Sequence, residues 1–259
     1  MGKYLEVVKD HHLAVITINN PPLNVLSRAV FQELDDTFME LEHDRETVAV
    51  VLTGEGEKAF VAGADIKEFP QMMGNPDMRA QVMEVHYILN RIDSFPKPTI
   101  AVLNGLTLGG GCELALSCDM RIAEEHSQIG LPEVTLGLFP GGGGTQRLPR
   151  LVGEAKAKEM MFTGEPISAA AAERIGLVNK VVPSGEGLVS AKQLASKITR
   201  HSLQALSRIK QSVDVGINKS LNEGIEVEAS LFQEVFQTED IKEGVQAFFE
   251  KRKPAFQHR

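Results

Sequence analysis

Apolar residues follow two different periods along the first two thirds of the chain. They alternate with polar residues at 4–8 and 13–18, which predicts two short strands joined by a polar turn. Residues 48–52 and 99–103 are continuous apolar runs, typical of strands buried on both faces. Helices are predicted where apolar residues recur at helical spacing, first at Val30, Leu34, Phe38 and Leu41, then at Val82, Val85, Ile88, Leu89 and Ile92.

Glycine marks the turns of this pattern and becomes rarer toward the C-terminus. Residues 104–119 predict a strand, a glycine turn and a short apolar helix, and residues 120–123 predict a further strand. Residues 54–67 are broken by glycines and are predicted to form a loop. From about residue 150 onward helical patterning dominates, apart from an apolar stretch at 178–182. This order predicts an α/β fold with a mostly helical C-terminal region.

Composition and charge exclude several kinds of function. The 259 residues are 42% hydrophobic and 24% charged, and the formal net charge is -8. An acidic chain is poorly suited to nonspecific binding of nucleic acids or anionic membranes, and with 5% aromatic residues it has few side chains for base stacking. No apolar run approaches the ~20 residues of a membrane span, and no targeting signal is recognisable. Cys112 and Cys118 are too far apart on the predicted helix for a disulfide, so a cytoplasmic location is expected.

Several common catalytic motifs are missing from the sequence. It contains neither a Gly-x-Ser-x-Gly elbow nor a nucleotide P-loop. Its seven histidines are scattered and form no cluster with cysteine, so no metal site is predicted. Residues 54–59 match the dinucleotide fingerprint Gly-x-Gly-x-x-Ala, but glycines break the segment where that fingerprint needs a helix. We therefore interpret residues 54–59 as a turn after a strand.

Three consecutive glycines at 109–111 give the first indication of a site. Glycines let a backbone approach a ligand closely, and the free N–H groups at a helix start suit a phosphate or a developing oxyanion. Close packing alone would explain the glycines equally well. Glu113 follows in the apolar helix, and Glu133 also lies among apolar neighbours. Two carboxylates beside an oxyanion hole could transfer protons around a carbonyl compound, although each could also be a turn acid with satisfied hydrogen bonds.

Longer motifs resemble the enoyl-CoA hydratase (crotonase) family over nearly the full chain. They occur in family order with family-like spacing: Ala62-Gly-Ala-Asp-Ile-Lys67, Asn104-Gly-x-x-x-Gly-Gly-Gly-Cys-Glu-Leu-Ala115, Leu131-Pro-Glu-Val134, Pro140-Gly-x-Gly-Gly-Thr-Gln-Arg-Leu148 and Glu250-Lys-Arg-Lys-Pro-Ala-Phe256. The resemblance implies an α/β fold, namely a crotonase-like spiral of β-β-α repeats at 1–197. It also implies a C-terminal helical region at 198–259 that forms trimer contacts, in a homotrimer or a homohexamer.

The same resemblance implies roles for individual residues. The backbone amides of Ala64 and Gly110 would form an oxyanion hole for a thioester carbonyl. Glu113 would activate a water molecule, and Glu133 would deliver a proton to the α-carbon of the substrate. The residues that would bind coenzyme A or fix that water are Ala62, Gly63, Asp65, Ile66, Lys67 and Gly141.

The presence of both glutamates favours one reaction within the family. Isomerases of the family commonly keep only the later glutamate, so the sequence predicts hydration of a 2-enoyl-CoA to a 3-hydroxyacyl-CoA. No cofactor is implied beyond the coenzyme A of the substrate.

The resemblance leaves the acyl group of the substrate open. The chain is most similar to short-chain hydratases, but residues 140–150 also resemble the methylglutaconyl-CoA hydratase branch, which implies a branched substrate as the alternative. Some members of that branch are associated with RNA. Residues 192–219 are rich in lysine and arginine but lack the aromatic residues that RNA recognition usually needs, so nucleic-acid binding is not expected.

Overall fold

The computed structural model describes residues 2–259, which contain ten strands and eleven α-helices. The strands are β1 (Leu5–Asp10), β2 (Leu13–Ile18), β3 (Ala49–Gly54), β4 (Ala59–Val61), β5 (Thr99–Leu103), β6 (Leu106–Leu108), β7 (Met120–Glu124), β8 (Gln128–Gly130), β9 (Ile167–Ser168) and β10 (Lys180–Val182). The helices are α1 (Arg28–His43), α2 (Phe69–Met72), α3 (Met78–Asp93), α4 (Gly110–Leu116), α5 (Gly144–Val152), α6 (Glu154–Thr163), α7 (Ala169–Arg174), α8 (Gly187–Ile198), α9 (Leu203–Gly216), α10 (Leu221–Val235) and α11 (Glu239–Phe249).

The strands form two separate sheets. The larger sheet has the order β1-β2-β3-β5-β7-β10 and is parallel except for the antiparallel pair of β1 and β2. The smaller sheet has the order β4-β6-β8-β9, in which β9 is antiparallel. The continuous apolar strands β3 and β5 are neighbours inside the larger sheet and are buried along their whole length, as their sequence predicts.

Each turn of the spiral adds one strand to the larger sheet and one strand to the smaller sheet. After β3, β5 and β7 have joined the larger sheet, the next strand in each case (β4, β6 or β8) joins the smaller one, and a helix follows. This confirms the predicted spiral of β-β-α repeats with C-terminal helices. One core cluster includes α1, α3 and α4, and a second lies where Ala191 and Ala195 of α8 pack with the other face of the larger sheet.

Two details of the sequence analysis are wrong. β4 lies inside the segment that was predicted to be a loop, and all three of its residues are buried. The strand was missed because three residues between glycines are too few to show a recognisable alternation. Cys118 lies beyond the end of α4, so the two cysteines do not share a helix. Both thiols are free and buried, as expected.

Polar and aromatic contacts join the region after residue 198 to the rest of the chain. Lys210 of α9 forms an ion pair with Asp119 at 2.9 Å, and the ring of His258 meets that of His12 at 5.3 Å between centroids. The division into regions at 1–197 and 198–259 stays a prediction. Among residues 2–259, no helix has the length and apolar character that crossing a membrane requires.

Candidate active site

The glycine turn before α4 brings backbone amides to the surface of the smaller sheet. Gly109 ends β6 with a positive φ of 52° and a ψ of -125°, a conformation that strongly favours glycine. Its amide donates to the carbonyl of Gly130 in β8 at 2.9 Å, which fixes the turn against the neighbouring strand. α4 therefore begins at Gly110, and the first N–H groups of the helix have no partner within it.

The amides of Ala64 and Gly110 lie side by side at this point. Leu26 pairs with the backbone on both sides of Ala64: its amide donates to Gly63 and its carbonyl accepts from Asp65, each at 2.9 Å. A Cβ placed on Gly110 would lie 3.6 Å from the Ala64 nitrogen. Within residues 2–259 neither amide donates to another backbone group outside regular helices and strands. Two adjacent free N–H groups can both donate hydrogen bonds to one negatively charged oxygen.

Glu113 lies one turn into α4, with its side chain buried. Its Oε1 accepts hydrogen bonds from the amides of Gly142 at 2.7 Å and Gly144 at 2.8 Å. Burial raises the pKa of this carboxyl, while the two amides and the charge of Arg147 oppose the rise. The glycine loop before α5 therefore holds one oxygen of Glu113 and stabilises its ionised form.

Glu133 begins the 3-10 turn Glu133–Leu136, and its carboxyl lies against the glycine turn that precedes α4. A Cβ on Gly109 would lie 3.2 Å from its Oε1, and its Oε2 is buried with no hydrogen-bond partner in the described residues. Burial raises the pKa of Glu133 to about 7; a hydrogen bond from its own amide opposes the rise, and the charge of Glu113 adds to it. A carboxyl with this pKa can donate or accept a proton near neutral pH.

The segment predicted to bind coenzyme A lies next to the Ala64 amide. The side chain of Asp65 accepts a hydrogen bond from the Lys67 amide at 3.1 Å and so caps the start of the 3-10 turn Ile66–Glu68. The side chains of Ile66 and Lys67 are exposed. Together with Ala62 and Gly63 they form a continuous strip beside the paired amides, but their binding of coenzyme A stays a prediction.

Sequence analysis missed the amides that hold Glu113. It assigned a role to Gly141, which is exposed and makes no hydrogen bond to Glu113, whereas Gly142 and Gly144 make both. The four-glycine run was visible, but alternate amides of a loop can be identified as donors only from the folded backbone. The role of Gly141 in fixing a water molecule stays a prediction.

The described residues 2–259 contain no group of three or more His, Cys, Asp and Glu side chains that could hold a metal ion. What the site does bring together is a pair of free amides, one carboxyl against the glycine turn and a second carboxyl in the helix that this turn begins. That arrangement can stabilise an enolate oxygen while protons move on and off a neighbouring carbon.

Comparison with known proteins agrees with this geometry. The sequence profile described as Enoyl-CoA hydratase/isomerase matches residues 9–259. The chain belongs to the enoyl-CoA hydratase/isomerase family. A short-chain-enoyl-CoA hydratase of Clostridium acetobutylicum is 45% identical over 246 residues, which cover 95% of this chain and 94% of that protein. A crotonyl-CoA hydratase of Syntrophomonas wolfei is 42% identical, over 96% of this chain and 95% of the other.

A solved structure of the family has the same fold. The crystal structure of an enoyl-CoA hydratase from Bacillus anthracis matches with a TM-score of 0.95 and 40% identity, over 99% of this chain and 100% of that one. The crotonase fold inferred from the motifs is thereby confirmed for both sheets and for the C-terminal helices.

Proposed function

We propose that this chain is an enoyl-CoA hydratase that adds water across the 2,3 double bond of a short-chain 2-enoyl-CoA. The observation that carries the proposal is the presence of two carboxyls with raised pKa, Glu113 and Glu133, at the same glycine turn as the free amides of Ala64 and Gly110. The water oxygen forms a bond to C3, a proton is added to C2, and the product is the 3-hydroxyacyl-CoA.

The free amides stabilise the charge that develops during this addition. When the water oxygen attacks C3, electron density moves through C2 to the thioester oxygen, which becomes enolate-like. The amides of Ala64 and Gly110 donate to that oxygen, and their bonds strengthen as its charge grows. Stabilisation of this kind lowers the barrier, because it acts more on the transition state than on the bound substrate.

The two glutamates divide the proton transfers between them. Glu113, whose ionised form is stabilised by hydrogen bonds from two amides, accepts a proton from the attacking water. Glu133, whose pKa is raised to about 7, delivers a proton to C2. Because the two carboxyls interact, they titrate as a pair.

The proposed reaction uses no metal or redox cofactor. The support is the site itself, in which two amides polarise the carbonyl and two carboxyls move the protons. Hydration should therefore continue at an unchanged rate after dialysis against a metal chelator, and a loss of activity that added metal restores would contradict this part of the proposal.

We propose a short, unbranched acyl group as the preferred substrate. The relatives named as short-chain-enoyl-CoA and crotonyl-CoA hydratases support it, since they match this chain over nearly its full length. The test follows the loss of enoyl-thioester absorbance with crotonyl-CoA and wild-type protein. Rapid loss is expected. Turnover of 3-methylglutaconyl-CoA but not of crotonyl-CoA would favour the branched alternative, and turnover of neither would contradict the hydratase proposal.

We also propose that the chain forms a homo-oligomer, a trimer or a hexamer. The last three helices expose large apolar side chains that a monomer would leave in water. Those at least half exposed are Ile209, Val213, Ile217, Leu221, Phe232, Phe236, Phe248 and Phe249. Burial of this surface against other copies would supply the hydrophobic driving force for assembly.

RNA binding remains the poorer alternative. Two of the basic residues at 192–219 are engaged within the chain: Lys210 is almost fully buried against Asp119, and Arg208 contacts Glu234 at 3.5 Å. Their charges are therefore unavailable to a phosphate backbone. The cytoplasmic location expected from the sequence stays a prediction, supported by two free buried thiols.

A further inference from the structure

The guanidinium of Arg147 joins the loop that binds Glu113 to helix α3. Arg147 lies in the first turn of α5, and its side chain is 14% exposed. Its Nη1 donates to the carbonyl of Gly142 at 3.3 Å, and its Nη2 donates to Asn90 at 2.7 Å and to Asp93 at 3.1 Å. Asn90 and Asp93 are three residues apart on α3, so both face the loop.

The backbone of the loop is shaped around this guanidinium. Gly143 has a positive φ of 106°, and a Cβ at this position would collide with Nη1 of Arg147. The Arg147 amide also donates to the Gly143 carbonyl at 2.8 Å. The backbone bond to Gly143 and the side-chain bond to Gly142 therefore tie Arg147 to the loop whose Gly142 and Gly144 amides hold Glu113.

We propose that Arg147 is a positioning residue for the hydration reaction: it locks the Gly142–Gly144 loop to α3 and so fixes the Glu113 carboxylate in the orientation that the attacking water requires. This inference rests on the proposed function. Arg147 contacts neither the free amides nor Glu113 in any hydrogen bond of the described residues, so it acts through the loop.

The charge of Arg147 gives this role a signature that packing alone would lack. Its positive charge favours the ionised form of Glu113. The other ionisable groups near Glu113 are Glu133, the buried thiol of Cys112, whose pKa burial raises, and His86 of α3, whose ring borders Gly143. Neutralising Arg147 should therefore raise the pKa of Glu113 and move the acidic limb of the pH profile to higher pH, because Glu113 must be ionised to activate water.

The test compares four variants with the wild type, using crotonyl-CoA. R147Q should lower kcat by about 10- to 100-fold, as expected for a misplaced catalytic group, with a smaller change in KM and an acidic limb at higher pH. R147K keeps the charge but not the planar fork, so its acidic limb should stay in place while kcat falls less. R150Q alters an exposed arginine of the same helix, and H86N removes the nearby imidazole; neither should move the limb.

A second readout makes the result independent of turnover. The infrared band of protonated Glu113, assigned by its absence in E113Q, should appear at higher pH in R147Q than in the wild type. Normal kcat and an unmoved band in a folded R147Q would overturn the proposal. An equal loss of kcat in R147Q and R147K with no shift of limb or band would also overturn it, by reducing Arg147 to a packing role. Absence of wild-type turnover together with the predicted band shift would contradict the hydratase function alone.

Discussion

Glu113 and Glu133 both lie in surroundings that favour the protonated carboxyl, but they are held differently. Glu113 is fixed by two backbone amides, which stabilise its ionised form, whereas one oxygen of Glu133 has no partner in residues 2–259. A carboxylate held by donors suits a base, and a carboxyl with a free buried oxygen suits an acid. Different surroundings thus suit two chemically identical side chains to different proton-transfer roles.

The pH dependence of hydration follows from the state of Glu133. Burial keeps this carboxyl protonated up to about pH 7, and the reaction needs its proton. We therefore expect kcat/KM for crotonyl-CoA hydration to fall tenfold per pH unit above about pH 7. E133Q, which cannot titrate, should lose this limb along with most of its activity. A profile that stays flat through pH 9 would show that Glu133 is not the acid.

At this scale the sequence identified the acids but not their partners. Glu113 and Glu133 were visible because a carboxylate in an apolar stretch needs a compensating partner. The donors to Glu113 lie 29 and 31 residues further along the chain. Only the folded loop brings them together, so no local pattern could have pointed to Gly142, Gly144 or Arg147.

Helix α4 shows how one short element is fixed at both ends. Its start is set by the Gly109 turn, and the chain just beyond its end is held by Arg121, which is buried. Arg121 donates to the carbonyls of Cys118 at 2.6 Å, Leu177 at 2.7 Å and Ala115 at 3.2 Å. A helix of seven residues has little stability of its own, so these tertiary bonds hold its proposed catalytic residues in place.

Long elements were predictable from the sequence, whereas two of the shortest strands were not. α1 and α3 have 16 residues each, enough for a helical period to repeat several times. β4 has three residues and β9 has two, and their strand character comes from pairing with distant segments of the smaller sheet. The second sheet was therefore implied by family resemblance, and hydrophobic period alone could not reveal it.

The C-terminal tail is an element whose stability should depend on pH. Nδ1 of His258 accepts a hydrogen bond from the Leu203 amide at 3.1 Å, so it must be unprotonated, and burial lowers the pKa of His258. A lowered pKa means that the stabilisation is present above the ordinary value of about 6.5 and is lost as the pH falls. H258F should reduce the free energy of unfolding by about 1 kcal/mol at pH 8 and by less at pH 5.

Chemical denaturation at a fixed protein concentration measures this difference. H11F is the matched control. The side chain of His11 is 93% exposed, so this substitution should leave the free energy of unfolding unchanged at both pH values. A loss in H258F that is equal at pH 8 and pH 5 would contradict the role of the neutral imidazole.

At the scale of the whole molecule, the proposed chemistry and the proposed assembly involve different parts of the chain. The two-sheet spiral supplies the glycine turns and both glutamates, while the last three helices carry the exposed apolar surface. Sequence predicted the helical character of this C-terminal region, but oligomer size is a property of contacts between chains, which no pattern within one chain displays.

Mass measurement tests the proposed assembly. Light scattering on the eluting protein should give three or six times the chain mass of 28.3 kDa. Replacing Phe248 and Phe249 by Asp should shift the mass toward the monomer, because charges would then replace two side chains that are 80% and 77% exposed in the single chain. M73D, at an equally exposed position outside this region, should leave the mass unchanged. A wild-type monomer at micromolar concentration would contradict the proposal.

The most direct test of the account is the rate of crotonyl-CoA hydration in E113Q and E133Q, measured beside the wild type together with the affinity for an acyl-CoA. The account predicts that each substitution lowers kcat by about 100-fold or more, the size expected for a lost proton-transfer group, while acyl-CoA binding survives. If both variants kept near-wild-type turnover, Glu113 and Glu133 would not be the acid and base of this site.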